Sequence, residues 1–308
     1  LCIGKRITEE MATIITDLKN NFRRGNTHIR LIYISTAVFL AVALTGIALR
    51  LFNLPSASFV QWFEMPASLP NFALQPWAIL TYMFLHTDFL HILFNMLWLF
   101  WFGDLFLRFF SARHLRGVYL LGGICGGLLY LLAYNVFPYF RPVVDASYLL
   151  GASASVLAIV AATAYREPNY PINLLLFGTV RLKYLALIVI GMDVLFITSD
   201  NAGGHIAHLG GALAGLWFAA SLSKGTDLTR WINGVADGVA GLFRPRSRKP
   251  KMKVHYKART DRQKDYDYNA RQKAQSDEID RILDKLKKSG YESLTTEEKK
   301  SLFDASKR

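Results

Sequence analysis

The chain has 308 residues, of which 52% are hydrophobic and only 19% are charged, and its formal net charge is +13. This composition excludes a chain that is disordered throughout, because so much apolar surface needs burial, and the low charge content argues against an ordinary water-soluble globule. Two cysteines are too few for a disulfide scaffold.

Six apolar runs dominate the first 223 residues, and a transmembrane helix needs about 20 such residues. In chain order the runs are 31–49, 89–103, 117–140, 146–165, 184–199 and 201–223. We therefore predict an all-α polytopic membrane protein with six transmembrane helices. The shorter run 168–180 contains a proline and is predicted to be an interfacial connection.

Basic residues indicate the orientation of these helices. They precede the first run, follow the second and the fourth, and are frequent in the tail. Residues 224–308 contain 22 Lys and Arg and 13 Asp and Glu, so this segment contributes +9 of the net charge of +13. Cytoplasmic connections carry the excess of Lys and Arg. Six spans with both termini in the cytoplasm place all four basic regions on one side. We predict a cytoplasmic segment 1–30, a six-span domain 31–223, a basic cytoplasmic linker 224–265 and a short helical tail 266–308, without a cleavable signal peptide.

Polar side chains inside the runs are concentrated in three places. His91 and Asn95 lie in the second run, Ser153 in the fourth and His208 in the sixth. Such groups are costly in a bilayer and are therefore functional candidates. Asn95, Ser153 and His208 each lie about 7 residues from the outer start of a run, which corresponds to about 10 Å of helix rise. We expect one polar site in the outer part of the membrane.

Small residues on two of the runs predict close helix packing. Gly211 and Gly215 form a GxxxG pattern in the sixth run, and Ala154, Ala158 and Ala162 form a stripe in the fourth. Small residues let backbones approach in lipid. Such packing would bring a serine hydroxyl within reach of an imidazole, which is the minimum for nucleophilic acyl transfer, and polar groups of the second run would supply donors to an oxyanion.

Three sequence motifs resemble those of the rhomboid intramembrane serine proteases. They are HILFN at 91–95, GASA around Ser153 and AHLGGALAG around His208. The resemblance covers residues 30–223 and implies a Ser–His dyad without a third acidic member. Ser153 matches the nucleophile, His208 the general base, and His91 and Asn95 the residues that stabilise the oxyanion.

The resemblance also implies a substrate and a location. The substrates would be single-span membrane proteins, cut in or near their transmembrane segments after entering laterally from the lipid bilayer, past the fifth run and beneath the loop 198–204. The location would be a bacterial inner membrane. The alternative is a catalytically silent rhomboid-like protein that binds membrane helices. A transporter is disfavoured because neither an inverted repeat nor midplane charges are evident.

The remaining polar residues of the runs receive other interpretations. His205 fits the spacing of the base badly and is predicted to belong to a lid, and His86 to line a water path or aid substrate docking. Asp193, the only acid within a run, is expected to have a hydrogen-bond partner or a wet position rather than to shape the site. We expect no cofactor, because no HExxH motif occurs and no carboxylate joins the histidines into a metal site.

The tail predicts a linker followed by two short helices. The basic run 242–264 is expected to lie along anionic lipid, and nucleic-acid binding has no supporting motif. Apolar residues at helical spacing predict an amphipathic helix that ends at Gly290: Ile279, Ile282, Leu283 and Leu286. Thr295 and Glu298 form a capping box for the last helix. A hairpin this small is expected to need a cytoplasmic partner or self-association.

Overall fold

The computed structural model describes residue 22 and residues 26–174, 178–242 and 260–306. They divide into two compact units, Leu1–Arg244 and Pro245–Arg308. Most of the predicted N-terminal segment 1–30 and of the basic run 242–264 lies outside the described residues.

The first unit is helical, with two very small antiparallel sheets. Its helices in chain order are α1 (Thr27–Leu51), α2 (Ser56–Gln61), α3 (Leu69–Leu74), α4 (Ala78–Thr81), α5 (Phe89–Leu107), α6 (Ala112–Val136), α7 (Ser153–Arg166), α8 (Leu182–Leu195), α9 (Ala202–Ser223) and α10 (Arg230–Leu242). Two 3₁₀ helices, Tyr82–Phe84 and Pro138–Ala146, precede α5 and α7. Strand β1 (Met65–Pro66) pairs with β2 (Tyr148–Leu149), and β3 (Pro171–Leu174) with β4 (Gly178–Arg181).

Four of the described helices, α1, α5, α6 and α9, are long and apolar enough to cross a membrane. The fourth and fifth predicted spans correspond to α7 and α8, which have 14 residues each, or about 21 Å of helix. The run 146–165 is not one helix, because its first part forms the end of a 3₁₀ helix, strand β2 and a turn. The chain is thus a mostly helical membrane protein, and the number of six spans stays a prediction.

Helix α9 packs closely on α7, as the small residues predicted. A Cβ atom added to Gly211 would overlap the carbonyl oxygen of Ala154, and one added to Gly215 would overlap that of Ala158. Helix α7 is largely enclosed, since all residues from Ala154 to Ala164 are buried. Close backbone contact therefore fixes α9 against α7, the two helices that carry His208 and Ser153.

The connection between α1 and α5 is tied to the segment that precedes α7. Strand β1 places Met65 opposite Leu149. The rings of Trp62 and Trp77 stack with their centroids 5.9 Å apart, and the indole Nε1 of Trp77 donates to the carbonyl oxygen of Trp62 at 2.8 Å. This connection therefore supports the residues leading to Ser153.

Helix α10 lies within the segment that the sequence analysis assigned to a linker. The carboxylate of Asp237 accepts hydrogen bonds from the guanidinium groups of Arg113 and Arg116, both at 2.8 Å. The bond from Arg116 leads the interactions that lower the pKa of Asp237. The side chain of Asn233 accepts a hydrogen bond from Nε of Arg116 at 2.9 Å and donates one to the carbonyl oxygen of Arg113 at 3.1 Å. The ordered first unit therefore continues past residue 223.

The second unit contains the two predicted tail helices, but the first of them has 30 residues and begins at Thr260, inside the segment predicted as a linker. Helix α11 (Thr260–Ser289) ends before Gly290, whose φ is 75°, and α12 (Thr296–Ser306) follows. Thr295 and Glu298 form the capping box, since each backbone N–H donates to the other side chain, at 2.8 and 3.3 Å. The ammonium of Lys285 lies 2.9 Å from Glu298 and leads the interactions that lower the pKa of its carboxyl group.

Candidate active site

Ser153 is the first residue of α7, after a turn that several contacts hold. Gly151 has φ +122° and donates its N–H to the carbonyl oxygen of Tyr82 at 3.0 Å. The N–H of Ala152 donates to Nε2 of His86 at 3.4 Å. Ser153 therefore stands at a helix N-terminus, where backbone N–H groups lack helical partners. The expectation that about seven helical residues precede Ser153 is wrong, because helix α7 begins at Ser153 itself.

His91 and Asn95 lie one turn apart at the start of α5. The carboxylate of Asp88 caps this helix by accepting the N–H of His91 at 2.9 Å. Asn95 is buried, and its Nδ2 donates to the carbonyl oxygen of His91 at 2.9 Å. A Cβ atom added to Gly151 would lie 2.8 Å from Cε1 and Nε2 of His91. Thus the His91 ring lies against the turn that leads to Ser153.

Three of the four predicted site residues share one cavity of about 190 Å³ between α5, α7, α8 and α9. Its lining residues are Phe94, Asn95, Trp98, Ser153, Val156, Leu157, Val189 and His208. His91 does not line it and lies beside Gly151. Ser153 and His208, both in described parts of the chain, make no hydrogen bond to each other. Catalytic hydrogen bonds are often long without substrate and tighten in the complex.

Asp193 is the residue whose contribution the sequence analysis missed. Its Oδ1 lies 2.8 Å from Nδ1 of His208 and 2.8 Å from Nδ1 of His205. Its side chain is 5% exposed, and Oδ2 has no hydrogen-bond partner among the described residues. The expectation that no carboxylate joins the histidines is therefore wrong. The available signal was that Asp193 is the only acid within a predicted run.

His205 and His208 lie one turn apart on α9 and share this carboxylate. Their ring centroids are 6.0 Å apart, and the side chains are 21% and 22% exposed. An ionised carboxylate only accepts hydrogen bonds, so each imidazole that bonds to Asp193 carries its proton on Nδ1 and leaves Nε2 free. His205 lies in the first turn of α9 and contacts Asp193, and its predicted place in a lid stays a prediction.

His86 and Ser155 support the turn and the packing behind it. His86 is fully buried, and its ring centroid lies 5.0 Å from that of His91. Because its Nε2 accepts the N–H of Ala152, its proton lies on Nδ1. Ser155 is fully buried, with its hydroxyl 3.9 Å from Sδ of Met83, which agrees with a packing role.

Two family models and one curated relative match parts of this chain. Residues 73–225 match the family model described as Rhomboid domain, and residues 262–308 match a family of unknown function, DUF6576. The protein named RHOMBOID-like protein 12, mitochondrial, of Arabidopsis thaliana is 31% identical over 157 residues. The alignment covers 48% of this chain and 47% of that protein, so the chain spans about half the length of the relative it matches. The range 73–225 contains all four predicted site residues.

Proposed function

Because this chain belongs to the rhomboid family, we propose that it is an intramembrane serine endopeptidase that cleaves single-span membrane proteins. One observation carries the proposal: Ser153, His208 and Asn95 line a single cavity, with the serine at a helix N-terminus. A nucleophile, a base and an oxyanion donor are the groups that acyl transfer needs.

The proposed reaction begins at the hydroxyl of Ser153. Its Oγ attacks the scissile carbonyl carbon while its proton passes to Nε2 of His208. The imidazolium then protonates the leaving amine as the C–N bond breaks. A water molecule, activated by the same imidazole, hydrolyses the acyl-enzyme and restores the serine. His208 therefore acts first as general base and then as general acid.

The negative oxygen of the tetrahedral intermediate needs preorganised donors. The amide of Asn95 uses one N–H on the carbonyl oxygen of His91, and its second N–H is available for the oxyanion. The N–H groups at the start of α7 and the imidazole of His91 supply further donors. Removal of a single such donor costs about 10²–10³ in kcat.

Asp193 adds a third member to the pair that the family resemblance implies. By accepting Nδ1–H of His208 at 2.8 Å, it holds the tautomer whose Nε2 can take the serine proton. It also stabilises the imidazolium that forms during the reaction. We therefore propose that Asp193 acts as a positioning residue and that Ser153, His208 and Asp193 work as a triad.

We also propose six spans with both termini in the cytoplasm. Helix α7 ends at Arg166, on the side where the basic connections cluster. Helix α7 is about 21 Å long and the hydrocarbon core is about 30 Å thick. If Arg166 lies at the inner boundary of this core, Ser153 lies about 9 Å below the outer boundary. Ser153 then lies at the depth that the sequence predicted, for a different reason: its helix is short.

The topology is tested by single-cysteine labelling after Cys2 and Cys125 are replaced by serine. Cysteines introduced at Asp145 and Asp200 should react with a membrane-impermeant maleimide from outside, and those at Arg113 and Lys183 only after permeabilisation. Labelling of Arg113→Cys from outside would contradict the proposed orientation. The predicted bacterial inner membrane stays a prediction, and the name of the matched relative places that protein in mitochondria.

Catalysis is tested in proteoliposomes with a single-span substrate that carries a fluorescent reporter. We expect cleavage by the wild type, no cleavage by Ser153→Ala, and labelling of the wild type alone by a fluorophosphonate. The matched control is Ser155→Ala, two residues further on and buried against Met83, which should retain cleavage. Unchanged cleavage by Ser153→Ala would exclude that nucleophile. Substrate binding without cleavage or probe labelling in the wild type would instead support the silent alternative.

A further inference from the structure

We propose that Asp193, His205 and His208 form a binding site for a divalent transition-metal ion, with Zn²⁺ as the best fit. One ring nitrogen of each histidine and a carboxylate oxygen of Asp193 all lie within 4.8 Å of one another. Two imidazole nitrogens and one carboxylate oxygen are a recurrent protein ligand set for Zn²⁺, which takes a water molecule as its fourth ligand.

The placement of the three residues suits chelation. The histidines lie at i and i+3 on α9, so both rings project from one face, and Asp193 approaches from α8. Each Nδ1 lies 2.8 Å from Oδ1. Zn²⁺ bonds to nitrogen and oxygen are about 2.0–2.2 Å long, so neighbouring ligand atoms of a tetrahedral ion lie about 3.4 Å apart, and each Nδ1 needs to move away from Oδ1 by about 0.6 Å. Both imidazoles are partly exposed, which gives an ion access.

The second oxygen of Asp193 provides independent support. Oδ2 is buried and has no hydrogen-bond partner among the described residues, and no lysine or arginine in those residues pairs with this carboxylate. A buried carboxylate without a cation is costly. Two neutral imidazoles supply hydrogen bonds but no charge, whereas a divalent ion neutralises the carboxylate and can use either of its oxygens.

Metal binding would switch off the proposed protease, and this part of the inference rests on the proposed function. The neutral imidazole of His208 has one proton, which lies on Nδ1 when Asp193 accepts it. Coordination of the metal by Nδ1 moves that proton through solvent to Nε2. Nε2 then has no lone pair to take the proton of Ser153. Metal binding at Nδ1 and proton transfer to Nε2 of His208 therefore exclude each other.

The test uses the full-length protein in detergent, titrated with ZnCl₂ by calorimetry and with Co²⁺ by visible absorption. We expect one saturable site per chain and a loss of affinity of about tenfold or more in His205→Ala and in Asp193→Asn. The matched control is His114→Ala, which removes a histidine 3.6 Å from the carboxylate of Asp227, outside the proposed site, and should bind as the wild type does. The absence of a saturable site, or equal affinity in His205→Ala, would overturn the metal site.

Proteolysis measured in parallel tests the regulatory part. We expect Zn²⁺ to inhibit the wild type reversibly, with activity restored by EDTA. His205→Ala should cleave in the absence of metal and resist inhibition by about tenfold or more. Saturable binding without inhibition would overturn the regulatory part. A wild type that binds Zn²⁺ but never cleaves would count against the proposed function and leave the metal site supported, because calorimetry does not depend on activity.

Discussion

Oδ1 of Asp193 lies 2.8 Å from Nδ1 of His208, so a hydrogen bond joins α8 to α9 beside the cavity that contains Ser153. The carboxylate is almost fully buried. A histidine held in this way has its Nε2 free as a proton acceptor. The contact therefore ties the chemistry of the proposed base to a residue outside the three sequence motifs.

We predict that Asp193→Asn lowers kcat by about tenfold or more and changes KM little, because an amide can donate to Nδ1 and stabilise the wrong tautomer of His208. Cleavage rates over a range of substrate concentrations and of pH check this. In Asp193→Asn the pH dependence of kcat should change as well as its magnitude. The control is Asp200→Asn, which replaces an exposed carboxylate between α8 and α9 and should behave as the wild type. An unchanged kcat in Asp193→Asn would exclude a positioning role.

We predict that Gly151→Ala lowers kcat by about tenfold or more in a protein that still folds. The new methyl group would lie 2.8 Å from the His91 ring, and φ of +122° is strained for alanine. Gly178→Ala is the control. Gly178 also has a positive φ, of +69°, but a Cβ atom added there would have no neighbouring atom within 4 Å. Equal activity of the two variants would contradict a role for the contact between Gly151 and His91.

We predict that Gly211→Ala destabilises the protein by about 1–3 kcal/mol, because the methyl group would overlap the backbone of Ala154, which cannot move aside as a side chain can. Thermal unfolding in detergent measures the effect. Gly191→Ala is a matched helical control, since nothing lies within 4 Å of the added atom, and alanine there should be neutral or slightly stabilising. A normal melting temperature for Gly211→Ala would contradict the close packing of α7 and α9.

We predict a pH-dependent effect of Glu64→Gln on stability. Burial raises the pKa of Glu64 from 4.5 to about 7, so the folded state favours the protonated acid. Its contribution to stability is fully present below pH 4.5 and is lost as the pH rises through about 7. Glu64→Gln should therefore raise the melting temperature at pH 8 and have little effect at pH 4. Asp145→Asn, at an exposed site, should show no such trend.

The chemistry of the candidate site could largely be predicted from the sequence. Ser153, His208, His91 and Asn95 are costly in a membrane, so their presence at matching positions of apolar runs already indicated one site. The glycines and alanines that allow α9 to approach α7 were also predictable, because close backbone contact requires small residues at regular spacing. The capping box of Thr295 and Glu298 followed from local sequence alone, since both partners lie within one turn.

The tertiary structure decided features that depend on residues distant in sequence or on where helices begin. The apolar run 146–165 indicated a span, but hydropathy cannot show that its first residues are extended and that the helix begins at Ser153. The partners of Asp193 lie 12 and 15 residues away on another helix, and no spacing rule connects them. Only the packing of α8 against α9 determines which buried groups this carboxylate meets, and hence the tautomer of His208.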